Sequence, residues 1–367
     1  MLTTAIIFIA ILSILIFVHE FGHFAAAKLN GVYVEEFAIG MPPKLFKKRV
    51  GETVYSIGLL PIGGYVKLAG EERAGEAEDK ESPLYGRKFY EKSALAKLSV
   101  MLAGVAMNFL LAVVLLMVVL GINGESQANY AIGIDEIEPN SPAAQSTLTS
   151  GEYVVGIRDG STSEFQKIES VETFTSVIKN NLGKEIYLEV VEEIPDSLDT
   201  PKEIAVTPAA FFNENEGSLG VHISVVSFVT YSKVSWYQVP GLALKQSVEL
   251  VGLMLNGLHQ MILNLFKGIV PNDVAGPLGI AVISREIADQ GILPLIEFVA
   301  LISLNLAVVN LLPFPALDGG RIVFVIAEII LGRSLDNKVQ QWIHLIGIVV
   351  LLGLMGLITI HDFLTFF

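Results

Sequence analysis

Long apolar runs mark the two ends of this chain. Ala5–Val18 is interrupted only by Ser13, and Ala96–Gly121 is apolar apart from Lys97, Ser99 and Asn108. Two further runs occupy Leu293–Leu312 and Ile343–Phe363. At about 1.5 Å of rise per residue, some 20 such residues cross the hydrocarbon core. The pattern predicts four transmembrane helices, over about 3–28, 96–121, 293–312 and 343–363. Between the first two, Val32–Ala38 and Val54–Leu60 are short β-prone runs, and Pro61–Gly64 is a turn leading into a third at Tyr65–Leu68. These pieces are too short to span and predict a hairpin over about 30–70 that dips into the membrane, with an exposed edge able to pair with an extended peptide; an ordinary cytoplasmic hairpin is the alternative. Residues 71–82 read as a solvated loop. Short alternating strands at 132–137, 153–157, 186–191, 204–207 and 219–223, with a helix over 171–180, predict a compact mixed module within 122–237. Residues 239–267 form a helix with Lys245, Glu249, Asn256, His259, Gln260 and Asn264 among Leu and Met. It is predicted to lie at the outer interface or to re-enter partly, and the rest of 238–292 to connect.

The fold class is therefore a polytopic α-helical membrane protein of about four spans, with a membrane-associated β-hairpin and one extracytoplasmic α+β domain. It divides at about 1–121, 122–237, 238–292 and 293–367. The chain of 367 residues is 52% hydrophobic with mean hydropathy +0.58, which fits. Cysteine is absent, so disulfides and thiolate metal sites are excluded. No basic stripe suggests nucleic acid as a partner. Residues 28–97 hold 12 of the 24 Lys and Arg, whereas 122–237 hold 18 acidic and six basic residues. The positive-inside rule makes the first loop cytoplasmic, and puts the module and both termini outside. Met1–Thr4 carries no Lys or Arg and no small-residue cleavage site follows the apolar core, so the first helix is expected to be uncleaved.

Inside the first apolar segment lies His19-Glu20-Phe21-Gly22-His23. Ionisable groups at that depth are costly and mark function by default. On a helix His19 and His23 share one face, a spacing that suits two imidazoles on one Zn²⁺. Glu20 lies about 100° round from His19, out of the coordination sphere and placed to act as a general base. A hydrolytic zinc site needs a third protein ligand. Asp318 is the best candidate, because Pro313 and Pro315 break the helix before it and Gly319-Gly320 permit a tight turn after it. It also reads as the N-cap of a helix over 321–331, and His344 could replace it as ligand.

HEFGHF at His19 and NLLPFPALDGG at Asn310 resemble the site-2 protease family of intramembrane zinc metalloproteases. GYVKLAGE at Gly64, the Gly104–Asn108 stretch, GPLGI at Gly276 and PNSPAA at Pro139 resemble its bacterial regulator-of-sigma-E protease branch, here with a single PDZ domain. The resemblance covers virtually the whole chain. It implies one zinc held by His19, His23 and Asp318, with Glu20 activating water. It implies that Asn310 bonds the substrate backbone, and that the hairpin segment with Gly58, Leu59, Leu60, Gly63, Gly64 and Tyr65, together with Pro315, aligns an unwound substrate. Residues 125–230 then resemble a PDZ domain that screens substrates by size or binds carboxyl termini. The implied activity is regulated proteolysis of single-pass membrane proteins, such as a previously trimmed anti-sigma factor, or of leftover signal peptides, in the bacterial inner membrane. The rival readings are an inactive membrane scaffold that binds peptides and a metal transporter. Intact inverted repeats and a continuous polar path, expected of a transporter, are not seen.

Overall fold

The computed structural model describes residues 2–71, 84–193, 201–210, 217–267, 276–333 and 335–366. The expected loop at 71–82 lies outside these residues apart from Glu71. Two compact units are present: Leu120–Ser235, and the remainder, Met1–Val119 with Trp236–Phe367.

Among the described residues of the larger unit, four helices are long and apolar enough to cross a membrane: α1 (Leu2–Leu29), α2 (Ala94–Asn123), α6 (Ile292–Leu311) and α8 (Asn337–Phe366). They coincide with the four predicted spans. Close approach of α1 and α2 depends on glycine. A β-carbon on Gly22 would overlap the Ala103 carbonyl oxygen and lie 2.8 Å from Met107 Cγ. Small residues are what let membrane helices meet backbone to backbone, where lipid supplies no hydrophobic drive.

The individual strands of the hairpin are longer than the short β-prone runs in the sequence. Strands β1 (Val34–Val50) and β2 (Thr53–Leu68) pair as an antiparallel hairpin, but each is bent back on itself. Residues 36–39 therefore lie opposite 64–67, and on their other side opposite 54–57, where Glu36 faces Val54 and Ile39 faces Ile57 in rising register. The basic stretch Lys44–Arg49, which lies between the two β-prone runs, is an exposed strand pairing with 54–58. Lysines on an outer strand deter edge-to-edge association, which explains how so charged a segment stays in a sheet. Glu36 anchors the fold: it pairs with Lys44 and accepts from Ser56 Oγ at 2.6 Å. Burial pushes its carboxyl up, but these partners outweigh burial and hold it below its ordinary range. Glu52, at the turn, accepts from Lys28 Nζ at 2.6 Å and from Arg87 at 2.8 and 2.9 Å. Those bonds tie the hairpin to the end of α1 and keep the Glu52 carboxyl below its ordinary range.

Helix α4 (Val239–Phe266) is not among the candidate spans, although it has 28 residues. Val239, Ala243 and Ser247 form its buried stripe, and it packs against α6. Leu244, Val248, Leu253 and Leu255 stay exposed beside a Lys245–Glu249 pair at 3.7 Å. The expected connection after it is instead partly a helix, α5 (Pro277–Gln290), packed against α1, α6 and α8. Its start follows from Gly276 at the N-cap and Pro277 in the first turn, and its end from Gly291. Asp362 of α8, 1% exposed, caps it by accepting from Gly276 N at 3.1 Å and Gly279 N at 2.8 Å. Helix α7 (Asp318–Leu331) begins at Asp318 rather than at Arg321, with Leu317 at the N-cap.

The smaller unit holds one sheet in the order β7-β6-β4-β3-β8, with β5 beside β4. Its strands are β3 (Glu125–Ile137), β4 (Tyr153–Asp159), β5 (Gln166–Lys167), β6 (Ile186–Val191), β7 (Lys202–Val206) and β8 (Val221–Ser232). In β6, Ile186, Leu188 and Val190 point inward at the two-residue period of a pleated strand. Helix α3 (Val171–Asn180) starts where Ser170 Oγ accepts from Thr173 N at 3.2 Å, and buries Phe174 and Ile178, one turn apart, in the same core. Strand β8 continues to Ser232, beyond the expected 219–223, because residues 125–130 extend β3 alongside it.

Candidate metal centre

Helix α1 presents His19 and His23 on successive turns, with ring centroids 4.8 Å apart and rings nearly perpendicular. Their Nε2 atoms lie 3.1 Å apart. Asp318 Oδ2 lies 3.0 Å from His19 Nε2 and 3.2 Å from His23 Nε2. Ligands about 2.0–2.2 Å from a tetrahedral zinc stand roughly 3.3 Å from one another. Three converging atoms at 3.0–3.2 Å thus fit such an ion closely. Among the described residues they form the one group of His, Asp and Glu able to hold a metal.

Asp318 reaches across 295 positions of sequence because α6 stops at Leu311 and the chain doubles back before α7. Both following glycines are sterically required. A β-carbon on Gly319 would overlap the carbonyl oxygens of Leu311 and Leu312, and one on Gly320 would overlap Phe314 O and lie 2.7 Å from Pro315 Cα. The turn is braced from α8, where His344 Nδ1 donates to Pro315 O at 2.7 Å. His344 therefore supports the loop that presents Asp318 and does not join the three converging atoms.

Glu20 lies beside the triad and faces two cavities. The larger, about 760 Å³, is lined by His19, Glu20, His23, Asp318, Tyr65 and Lys67 among others, with an Arg321–Glu71 pair and a Lys97–Glu328 pair at 3.4 Å on its walls. These charged pairs give the cavity a polar wall beside a site otherwise built of apolar helices. The smaller, about 270 Å³, is lined by Leu15, Glu20, Gly63, Gly64, Asn108 and Asn310 among others. Gly64 is where the hairpin meets Glu20: a β-carbon there would lie 3.2 Å from Glu20 Cγ and 3.0 Å from Ala38 O.

Of the other predicted residues, Gly63, Gly64, Tyr65 and Asn310 are brought to these cavities. Gly58 is buried where the two strands cross, Leu59 and Leu60 project outward about half exposed, and these three do not line either cavity. Pro315 sits one residue outside the lining, under His344. Sequence reasoning missed what α2 contributes. His23 Nδ1 donates to Val100 O at 2.8 Å, and Gly104 leaves the space both rings occupy. The apolar run of α2 concealed these roles, since one uses a backbone carbonyl and the other an absent side chain.

A family model described as peptidase family M50 matches residues 7–354. A Clostridium perfringens protein whose name places it among zinc metalloproteases is 34% identical, over 95% of this chain and 95% of its own. The regulator of sigma-W protease RasP of Bacillus subtilis is 28% identical, over 98% of each chain. The zinc metalloprotease RasP of Geobacillus kaustophilus is also 28% identical, over 100% of this chain and 99% of its own.

Proposed function

The chain belongs to peptidase family M50, the site-2 proteases, and from that premise and the geometry of the site we propose that it cleaves transmembrane segments of single-pass membrane proteins. It is a membrane zinc metalloprotease. The observation that carries the proposal is the meeting of Asp318 Oδ2 with both histidine Nε2 atoms on a membrane-spanning helix.

His19, His23 and Asp318 would hold the ion. Zinc, when bound there, polarises a carbonyl and lowers the pKa of water toward about 7. Glu20 takes the proton from the attacking water and returns it to the departing amine nitrogen. A substrate helix hides its carbonyls in i to i−4 hydrogen bonds, so it must be unwound before attack. The stretch of β2 from Gly64 to Lys67, which meets Glu20 at Gly64, offers backbone donors and acceptors to an extended segment, and Asn310 offers its amide from the other wall.

The Bacillus subtilis relative is named for regulating sigma-W. That supports an anti-sigma factor, already trimmed by another protease, as substrate class, with leftover signal peptides as the second class. The sheet and helix α3 of the smaller unit support an extracytoplasmic PDZ-like module that receives a peptide or substrate ectodomain. The basic first loop supports an inner-membrane orientation with the site in the cytoplasmic half. A cysteine introduced as Lys88→Cys is then shielded from an impermeant thiol reagent in intact cells, and labelling there overturns the orientation.

The purified chain in detergent should cleave a model transmembrane substrate and lose that activity in Glu20→Gln. Cleavage that survives the substitution rejects the mechanism. Peptide binding without cleavage would favour the scaffold reading, and cation flux in sealed vesicles the transporter.

A further inference from the structure

We propose that Asn108 is a positioning residue for His19, its carboxamide oxygen accepting from His19 Nδ1–H and so leaving Nε2 free to bind the metal. The proposal rests on the metal-dependent reading above. A neutral imidazole binds a metal only through the nitrogen without a proton, so both Nδ1 atoms must carry hydrogens and need acceptors.

For His23 the acceptor is Val100 O, 2.8 Å from Nδ1, and a carbonyl can only accept. That ring's tautomer is fixed. For His19 the neighbour is the Asn108 side chain, whose nitrogen lies 3.3 Å from Nδ1. Asn108 is 0% exposed, and its Oδ1 is buried without a hydrogen-bond partner. With the amide nitrogen toward the ring, Nδ1 is the acceptor and the proton sits on Nε2, 3.0 Å from Asp318 Oδ2. That state satisfies the carboxylate but excludes a metal. The two ends of a carboxamide differ little in size, so a half-turn about the last side-chain bond puts the oxygen against the ring within the same space. Nδ1 then donates and Nε2 keeps its lone pair.

Residue 108 cannot retreat from the ring, because Ser303 of α6, also fully buried, donates to its backbone carbonyl at 2.8 Å. Val100, Gly104 and Asn108 follow one another at four-residue spacing, so a single face of α2 addresses both histidines: acceptor, gap, acceptor. An amide serves both states of the ring, accepting with metal bound and donating without it.

The test is zinc affinity of the full chain in detergent, measured by competition with a chelator. Asn108→Leu keeps the volume and removes the acceptor, and should weaken zinc binding by about 10- to 100-fold. Asn108→Asp keeps an acceptor and should bind within a few-fold of the unsubstituted chain. Equal affinity in Asn108→Leu, or an equal loss in both variants, overturns the proposal. Should Asn108→Leu fail to fold, ¹⁵N histidine spectra of the unsubstituted zinc-loaded chain decide: a protonated His19 Nδ1 is expected, and a protonated Nε2 contradicts it. Failure of the unsubstituted chain to bind zinc at all would instead reject the metal reading of the site.

Discussion

Gly104 and His23 share a space that holds only one of them fully. A β-carbon on Gly104 would overlap His23 Nε2, 2.7 Å from Cε1 of that ring and 2.8 Å from His19 Cε1. Both imidazoles therefore rest on the bare backbone of α2. Gly104→Ala should force the rings apart and weaken zinc binding by about 10- to 100-fold, read by chelator competition. The helical propensity of alanine rules out helix disruption as the cause of such a loss. Unchanged affinity would show that the rings are not confined by α2.

Glu20→Gln preserves shape but removes the proton acceptor. Proteolysis of a transmembrane substrate should fall by roughly 10²- to 10⁴-fold or more while bound zinc stays at one per chain. A parallel loss of zinc would instead make Glu20 a ligand.

Gly64 sets how closely the hairpin approaches Glu20. With Ala38 O and Ile16 Cγ2 each 3.0 Å from its missing β-carbon, the branched side chain of Gly64→Val has no room. The edge should be displaced from the Glu20 side chain. A misplacement of about 1 Å costs on the order of 10²-fold in rate, so kcat/KM should fall on that scale with zinc content unchanged. Near-normal kcat/KM would remove the hairpin from the active site.

The Glu52 hub predicts a pH dependence of stability. Its carboxyl is held down by the Lys28 and Arg87 hydrogen bonds, so its contribution is full above the unfolded value near 4.5 and disappears as pH falls through the lower folded value. All three side chains are about a third exposed, so Glu52→Gln should cost only about 1 kcal/mol at pH 7. The difference from the unsubstituted chain should shrink below about pH 4. A penalty that persists in acid would mean that packing, not charge, ties the hairpin to α1.

Much of this architecture was legible in the sequence, for physical reasons that vary by element. The four spans declared themselves because lipid demands continuous apolar runs, and α3 did so because Ser170 and the Phe174–Ile178 spacing signal a helix locally. The bent-back course of β1 was hidden: Lys44–Arg49 looks like loop unless one knows it forms an outer strand. Helix α5 was hidden because its cap, Asp362, lies 86 residues from Gly276. In the site, His19, His23 and Glu20 are neighbours in sequence and readable as a set. The contact of Asn108 with His19 is not readable in this way, since the two are 89 positions apart.

One divalent ion should bind between His19, His23 and Asp318 inside the membrane unit. X-ray diffraction from crystals of the zinc-loaded chain, recorded on both sides of the zinc absorption edge, tests it most directly. A single anomalous peak about 2.0–2.2 Å from both Nε2 atoms and from an Asp318 carboxylate oxygen is expected. A peak elsewhere, or one at the histidines with Asp318 turned away, would contradict the account.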